Sequence, residues 1–351
     1  MVRKGSLVSG ALLAGIGAFI PSAPALAAHA PSAQLCTVGA AAVGQIGTLI
    51  CRDVASGVMT QAVPLGPTVA AAGGIAASLA SRGDRVLVTN QMGGALLFRA
   101  TNGRLHDPVV LQTDGEGSLS GAVSDRGVYV LTGTKLRFYP NGRTTATSSQ
   151  PLLLGDGSAA AVTLANRAAY VSEKNGSLEA FALGGDGRLA AAPVAVSGIS
   201  PGVIVGITGL DDLVVAPIAH LASNPNQSEI SVVSGTSQAQ RVPTKEVAAC
   251  WASNDGQDEV CVANPGSMTV SCGLAGDDAL ESYTSAAASL PGESVFDLDM
   301  TRDLVGIQGI DGGKPVLLTF RRGDGDFLTA QSEFQVGTTV AAGALFLPSM
   351  N

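Results

Sequence analysis

The chain has 351 residues, 46% of them hydrophobic and only 14% charged, with 45 glycines and a net charge of -8. That composition excludes a disordered chain and suits a large core crossed by many tight turns. The negative balance speaks against nucleic acid and anionic membrane surfaces.

Arg3 and Lys4 precede an uncharged apolar run from Leu7 to Ile20, and Ala25-Leu26-Ala27 follows with small residues at the spacing a signal peptidase needs. Residues 1–27 therefore read as a secretory signal peptide cleaved after Ala27. The apolar run is too short to span a bilayer, and no later stretch qualifies. No lipid-attachment cysteine follows it, since the first cysteine is Cys36. The expected mature protein, 28–351, is exported and soluble. Its length would accommodate two ordinary domains, but a single closed β-architecture commonly reaches the same size.

Arg85 to Leu105, RVLVTNQMGGALLFRATNGRL, reads as strand, turn, strand, turn. The same order returns at Val128 to Arg143, Ala169 to Leu189, Val260 to Leu280 and Leu304 to Leu328, with a looser copy from Leu213 to Thr236. The spacing is roughly 41–47 residues, the period of a four-stranded propeller blade. Short runs precede these hairpins and can serve as the innermost strands: Ile75 to Ser81, Ser118 to Ser124, Ala159 to Leu164, Val203 to Gly209, Val247 to Ser253 and Ser294 to Met300. The first copy, Leu35 to Met59, lacks such a leader, while Thr339 to Leu347 is a C-terminal run without a partner. Pairing these two closes the ring at seven blades and removes the exposed sheet edges that would otherwise aggregate. The expected fold is all-β, a single seven-bladed β-propeller.

VLVTN in the second repeat and VCVAN in the sixth are each followed by a Gly-containing turn, an apolar strand and a Gly-rich turn. With Ala249-Cys250-Trp251 ahead of VCVAN, these resemble the YVTN-type repeats of the lactonase-like seven-bladed propeller family. That family includes 6-phosphogluconolactonase-like and carboxymuconate cyclase-like proteins. The resemblance implies a scaffold, and a lactone hydrolase or cyclase as one activity built on it.

Five cysteines in an exported chain allow two internal disulfides and one remaining thiol. Cys36 and Cys51 are equidistant from the turn at Val43-Gly44 and should face each other. Cys261 has two candidates, Cys250 across Asp255-Gly256 and Cys272 across Gly266-Ser267. We expect Cys36 to pair with Cys51 and Cys250 with Cys261, with Cys261 to Cys272 an equal alternative given the narrow geometry of such bridges. No histidine lies near the cysteines at zinc-ligand spacing.

In a propeller the loops leading into the inner strands share one face with the turns joining second and third strands. On this chain that face collects Asp114, Glu116, Asp156, Glu173, Lys174, His220, Lys245, Glu246, Asn264 and Glu293. Such a ring of carboxylates suits a divalent cation or a cationic ligand, and equally suits solvated turns. Asp114, Glu116, Asp156, Lys174, Asn264 and the inner-strand Asp297 are the candidate ligand-binding residues. A lactonase needs a polarised carbonyl and an activated water or a general acid. The chain has three histidines, His29, His106 and His220. Only His220 falls on the ligand face, with Glu173 or Glu293 as partner. The inner runs carry mostly Ala, Ser, Gly and Val, apart from Asp297, Asp299 and Trp251, where an active family member would show His and Arg with an acidic partner.

Both Arg-Gly-Asp tripeptides, 82–84 and 322–324, fall in hairpin turns that want Gly and Asp for backbone reasons. Asp324-Gly325-Asp326 and Asn254 to Asp258 lack the spacing of an EF-hand loop. Asn175 and Asn226 begin glycosylation sequons, meaningful in a eukaryotic host. The leading expectation is an exported module, monomeric, binding a small molecule or a protein. The alternative is a lactone hydrolase or cyclase at the channel mouth, with a divalent cation as its possible cofactor.

Overall fold

The computed structural model describes residues 33–66, 77–90, 94–220, 228–323 and 327–347. The expected signal peptide, the sequon at Asn226 and the Asp324 to Asp326 motif lie outside the described residues.

The short β-branched runs and the turns between them build seven four-stranded antiparallel sheets, arranged as the blades of a propeller. Blade two shows the pattern, running outward through Ala77–Arg82, Arg85–Asn90, Ala95–Thr101 and Arg104–Leu111. Blade one takes its inner strand from the other end of the chain. Val340–Phe346 pairs antiparallel with Gln34–Ala40, from Leu35 opposite Phe346 to Ala40 opposite Val340. The ring is closed by the strand the sequence left unpartnered.

The expected inner runs Ser118–Ser124 and Ser294–Met300 are strands with those limits. Those of blades five and six are shorter than expected, at Thr208–Leu210 and Trp251–Asn254. The cause is local. A Cβ at Gly206 would stand 2.8 Å from Trp251 Cδ1 and 3.0 Å from its Cα, so the chain there bends around the indole. Gly206 N–H donates to the Cys250 carbonyl of the next blade instead of to its own sheet.

Alternation along each second strand explains how the ring coheres. Val86 and Val88 of blade two pack towards blade one, whereas Leu87 between them packs towards blade three. Among the described residues the buried side chains form seven clusters, one at each junction between successive blades. Each buried Val, Leu, Ile or Phe contributes about 1.5–3 kcal/mol, so these junctions carry most of the stability. Two tyrosines add direction. Tyr129 Oη donates to the Gly187 carbonyl of blade four, and Tyr170 Oη donates to Gly235 of blade five at 2.8 Å.

Cys36 is bonded to Cys51, across the register of blade one. The second bridge joins Cys261 to Cys272, and Cys250 keeps a free thiol. This corrects the expected Cys250 to Cys261 pairing. Cys261 lies directly opposite Cys272 on the neighbouring strand, whereas across the other hairpin it lies opposite Ser253.

Candidate functional site: the central channel

Seven inner strands enclose a cavity of roughly 960 Å³. Small side chains recur in its wall, between larger ones such as Leu79, Trp251 and Phe296, where the strands approach closely. A Cβ at Gly209 of blade five would stand 2.1 Å from the Leu164 carbonyl oxygen of blade four. The polar lining includes Ser120, Thr163, Thr208, Ser253, Asp297 and Asp299. The cavity also takes in the turns at 82–83, 254–256 and 301–303, which join inner to second strands. Those turns lie on the face opposite the one the sequence pointed to, since each inner strand runs from one face to the other.

Asp255 and Asp303 lie in the turns of this wall, and Asp297 and Asp299 are its inner-strand carboxylates. Both are turned to the ring seam: Asp297 Oδ2 accepts from Ala344 N–H at 3.0 Å, and Asp299 Oδ2 from Phe346 N–H at 2.7 Å. Asp299 Oδ1 also accepts from Ser253 Oγ of blade six at 3.1 Å. Burial pushes Asp297 up to about 7 and Asp299 up to about 6, against the hydrogen bonds that favour their charged forms. Asp297 thus lines the channel, and its carboxylate caps the backbone amides of Leu298 and Ala344.

The other candidates fall on the opposite face in separate groups, one blade at a time. On blade three, Arg137 is almost fully buried and pairs with Asp114 at 2.6 Å and Glu116 at 3.4 Å. Thr132 and Thr134 also donate to Glu116. Burial alone would raise Glu116, but these bonds outweigh it and hold its carboxyl below the ordinary value.

On blade four, Ser158 Oγ touches Asp156 Oδ1 and lies 2.6 Å from Glu173 Oε2. Glu173 is 1% exposed, and burial pushes it up to about 7. Lys174, in the same turn, points to solvent. On blade six, Asn264 is fully buried and donates to Thr269 and Ser271, while Thr269 donates to Glu246 at 3.0 Å.

These residues share one face, but each is occupied within its own blade. In each case a side chain in the loop leading into a blade is fastened to that blade's own hairpin. Arg137, Ser158 and Glu179 were overlooked. A buried arginine in the strand Lys135–Pro140 was the one signal that could have revealed the first of these groups.

His220 is half-buried beside Gly202, where a Cβ would come within 3.5 Å of its Nδ1. Among the described residues no hydrogen bond or ion pair joins it to Glu173 or Glu293. Glu293 has an exposed side chain and is held by its backbone, N–H to the Ile310 carbonyl at 2.7 Å. No group of three or more His, Cys, Asp or Glu among the described residues is placed to hold a metal ion. The arginines of both Arg-Gly-Asp tripeptides are engaged between blades, Arg82 with Asp125 at 2.8 Å and Arg322 with Glu259 and Asp255.

The chain is thus a seven-bladed β-propeller closed by its two ends, and solved structures agree. A protein of unknown function from Desulfotomaculum acetoxidans superposes with a TM-score of 0.62 at 12% identity, covering 90% of this chain and 98% of that one. A candidate 6-phosphogluconolactonase from Bacteroides fragilis gives 0.59 at 11% identity, covering 91% and 98%. The WD40 propeller domain of Doa1 gives 0.55 at 12%, covering 84% and 91%. At such identities the likeness is one of fold. No protein-family model matches the sequence, and no curated protein matches it.

Proposed function

We propose that this propeller is an exported binding module that takes a small polar molecule into its central channel. The observation that supports this most is the channel itself: a cavity of roughly 960 Å³ lined by hydroxyl-bearing residues from several blades. Concave sites of this size with a few convergent polar groups are the usual form of a small-molecule site. Export is supported by the N-terminal segment and by two disulfides, which persist in oxidising compartments. The protein acts as a monomer, without nucleic acid and without a bilayer. No helix among the described residues is long and apolar enough to cross a membrane.

The test is thermal stabilisation by a panel of sugars, polyols and small organic cations, beside Thr163→Trp, which sets a bulky ring into the channel wall. A ligand that raises Tm of the wild type and leaves the variant unmoved supports the reading. A shift that persists in Thr163→Trp, or no shift across the panel, counts against it.

The fold likeness to a candidate 6-phosphogluconolactonase keeps a second reading, a lactone hydrolase using His220 with Glu173 or Glu293. That reading requires His220 to meet a carboxylate when substrate is bound.

A further inference from the structure

Blade four fastens its lead-in loop with the chemistry reversed. In blades three and six the loop supplies a carboxylate, Glu116 or Glu246, and the hairpin supplies a hydroxyl, Thr132 or Thr269. In blade four the loop supplies the hydroxyl of Ser158 and the hairpin supplies the carboxyl of Glu173. Register makes the contrast sharper. Arg137 lies opposite Val130 in blade three, and the matching place opposite Val171 in blade four holds Glu179. Where blade three has a buried cation, blade four has a second buried acid.

Proton counting at Ser158 decides the charge of Glu173. A hydroxyl carries one proton and two lone pairs. Ser158 Oγ contacts Asp156 Oδ1, lies 2.6 Å from Glu173 Oε2 and accepts from Asn175 Nδ2 at 3.3 Å. It can give its proton to only one of the two carboxyls, so the other short contact needs a proton of its own. Asp156 is exposed, and its hydrogen bonds from Ser158 hold it below the ordinary carboxylate range. Glu173 is buried, and its Oε1 has no partner. The proton belongs on Glu173.

The charged groups facing Glu173 are Glu179 from the third strand, Asp156 from the loop and Lys174 from its own turn. The side chain of Lys174 is in solvent, and the adjoining junction with blade three is the apolar cluster of Leu131, Leu136 and Val171. Glu179 is 1% exposed and accepts from Leu153 N–H with both oxygens, at 3.0 and 3.1 Å, which suits a carboxylate. Two buried carboxyls side by side resist ionising together, which divides the roles: Glu179 the anion, Glu173 the acid.

We propose that a proton on Glu173 fastens the 152–158 loop to blade four, and that losing it releases the loop. The latch is independent of the channel cavity. Ionisation leaves the single Ser158 hydroxyl proton to serve both Asp156 and Glu173, and sets three carboxylates together without a buried cation. The loop, whose Leu153 and Leu154 are already 50% and 46% exposed, then lifts and lets water reach both acids.

Amide hydrogen exchange on the whole chain, corrected for intrinsic rates, reads this directly at Leu153 N–H and at Lys174 N–H, which donates to the Ser158 carbonyl. Between about pH 5 and about pH 8, protection at these amides should fall at least about tenfold in the wild type, the change that one pKa unit represents. Glu173→Gln, which keeps a neutral donor at that position, should hold its protection. A wild type whose protection does not change with pH, or a Glu173→Gln protein that loses protection as the wild type does, would overturn the proposal. If the variant folds poorly, the carboxyl carbon shift of Glu173 in the wild type serves instead, and titration near the ordinary glutamate range would be equally fatal.

Discussion

Asp299 of the seventh blade accepts a hydrogen bond from the backbone amide of Phe346, 2.7 Å away on the strand that belongs to the first. Two residues earlier, Asp297 does the same for Ala344. The channel-facing edge of the closing strand is thereby capped by carboxylates of its neighbour, so the seam is held by side chains as well as by sheet pairing with Gln34–Ala40.

Asp299→Ala should loosen the ring at this seam. It would leave the Phe346 amide and the Ser253 hydroxyl without their acceptor. Orphaning buried donors costs about 2–4 kcal/mol here. Urea denaturation should show this loss, whereas an exposed carboxylate such as Glu293 should tolerate alanine with little change.

The same pair sets a pH dependence. The folded protein holds Asp297 and Asp299 at about 7 and about 6, above their unfolded values, so it binds more protons than the unfolded chain in between. Their contribution is therefore most favourable at acid pH and is lost as pH rises from about 4 to about 7. Glu116 and Asp125, held low, work in the opposite sense and lose their contribution as pH falls through their folded values. Comparing Asp297→Asn with the wild type across this range isolates the first effect: the wild type should lose stability relative to the variant as pH rises. A constant difference would show that Asp297 does not titrate in the fold.

The architecture was legible because its signals are local. Hairpin spacing, glycine turns and alternation fix each blade, and the unpaired runs at the two ends fix the closure. The site was less legible because function depends on which way a side chain turns at the end of a strand. Glu173 and Asn264 occupy matching places at the ends of their second strands, and both point inward to fasten their own blades. The long inner strands expected in blades five and six failed for a reason no periodicity reveals, the seating of Trp251 against Gly206.

Arg322 should matter more than a surface arginine. It reaches from blade seven to Glu259 and Asp255 of blade six, whose side chains are 3% and 2% exposed. Arg322→Ala leaves these acids buried without a cation, a change that costs about 3–5 kcal/mol. Thermal melting should register it far more strongly than Arg188→Ala, since Arg188 and Asp186 are both exposed.

Non-reducing peptide mapping should find Cys36 with Cys51 and Cys261 with Cys272, leaving Cys250 as the free thiol, slow to react because burial pushes it up to about 12. Replacing Cys261 and Cys272 by serine should cost about 2–3 kcal/mol, as expected for closing a short loop. Recovery of a Cys250 to Cys261 peptide would contradict the register of blade six.

The close approach of the inner strands predicts that Gly209→Ala is costly. Its Cβ would meet the Leu164 carbonyl, a backbone atom that cannot swing aside. A loss of about 1–3 kcal/mol is expected from overpacking, measured by urea unfolding.

The most direct measurement is turnover by the purified protein on a panel of γ- and δ-lactones, with and without divalent metal, beside His220→Ala. A binding channel predicts no hydrolysis above the blank, with or without metal, and no difference between the two proteins. Turnover that disappears in His220→Ala would contradict it and place an active site on the face opposite the channel cavity's turns.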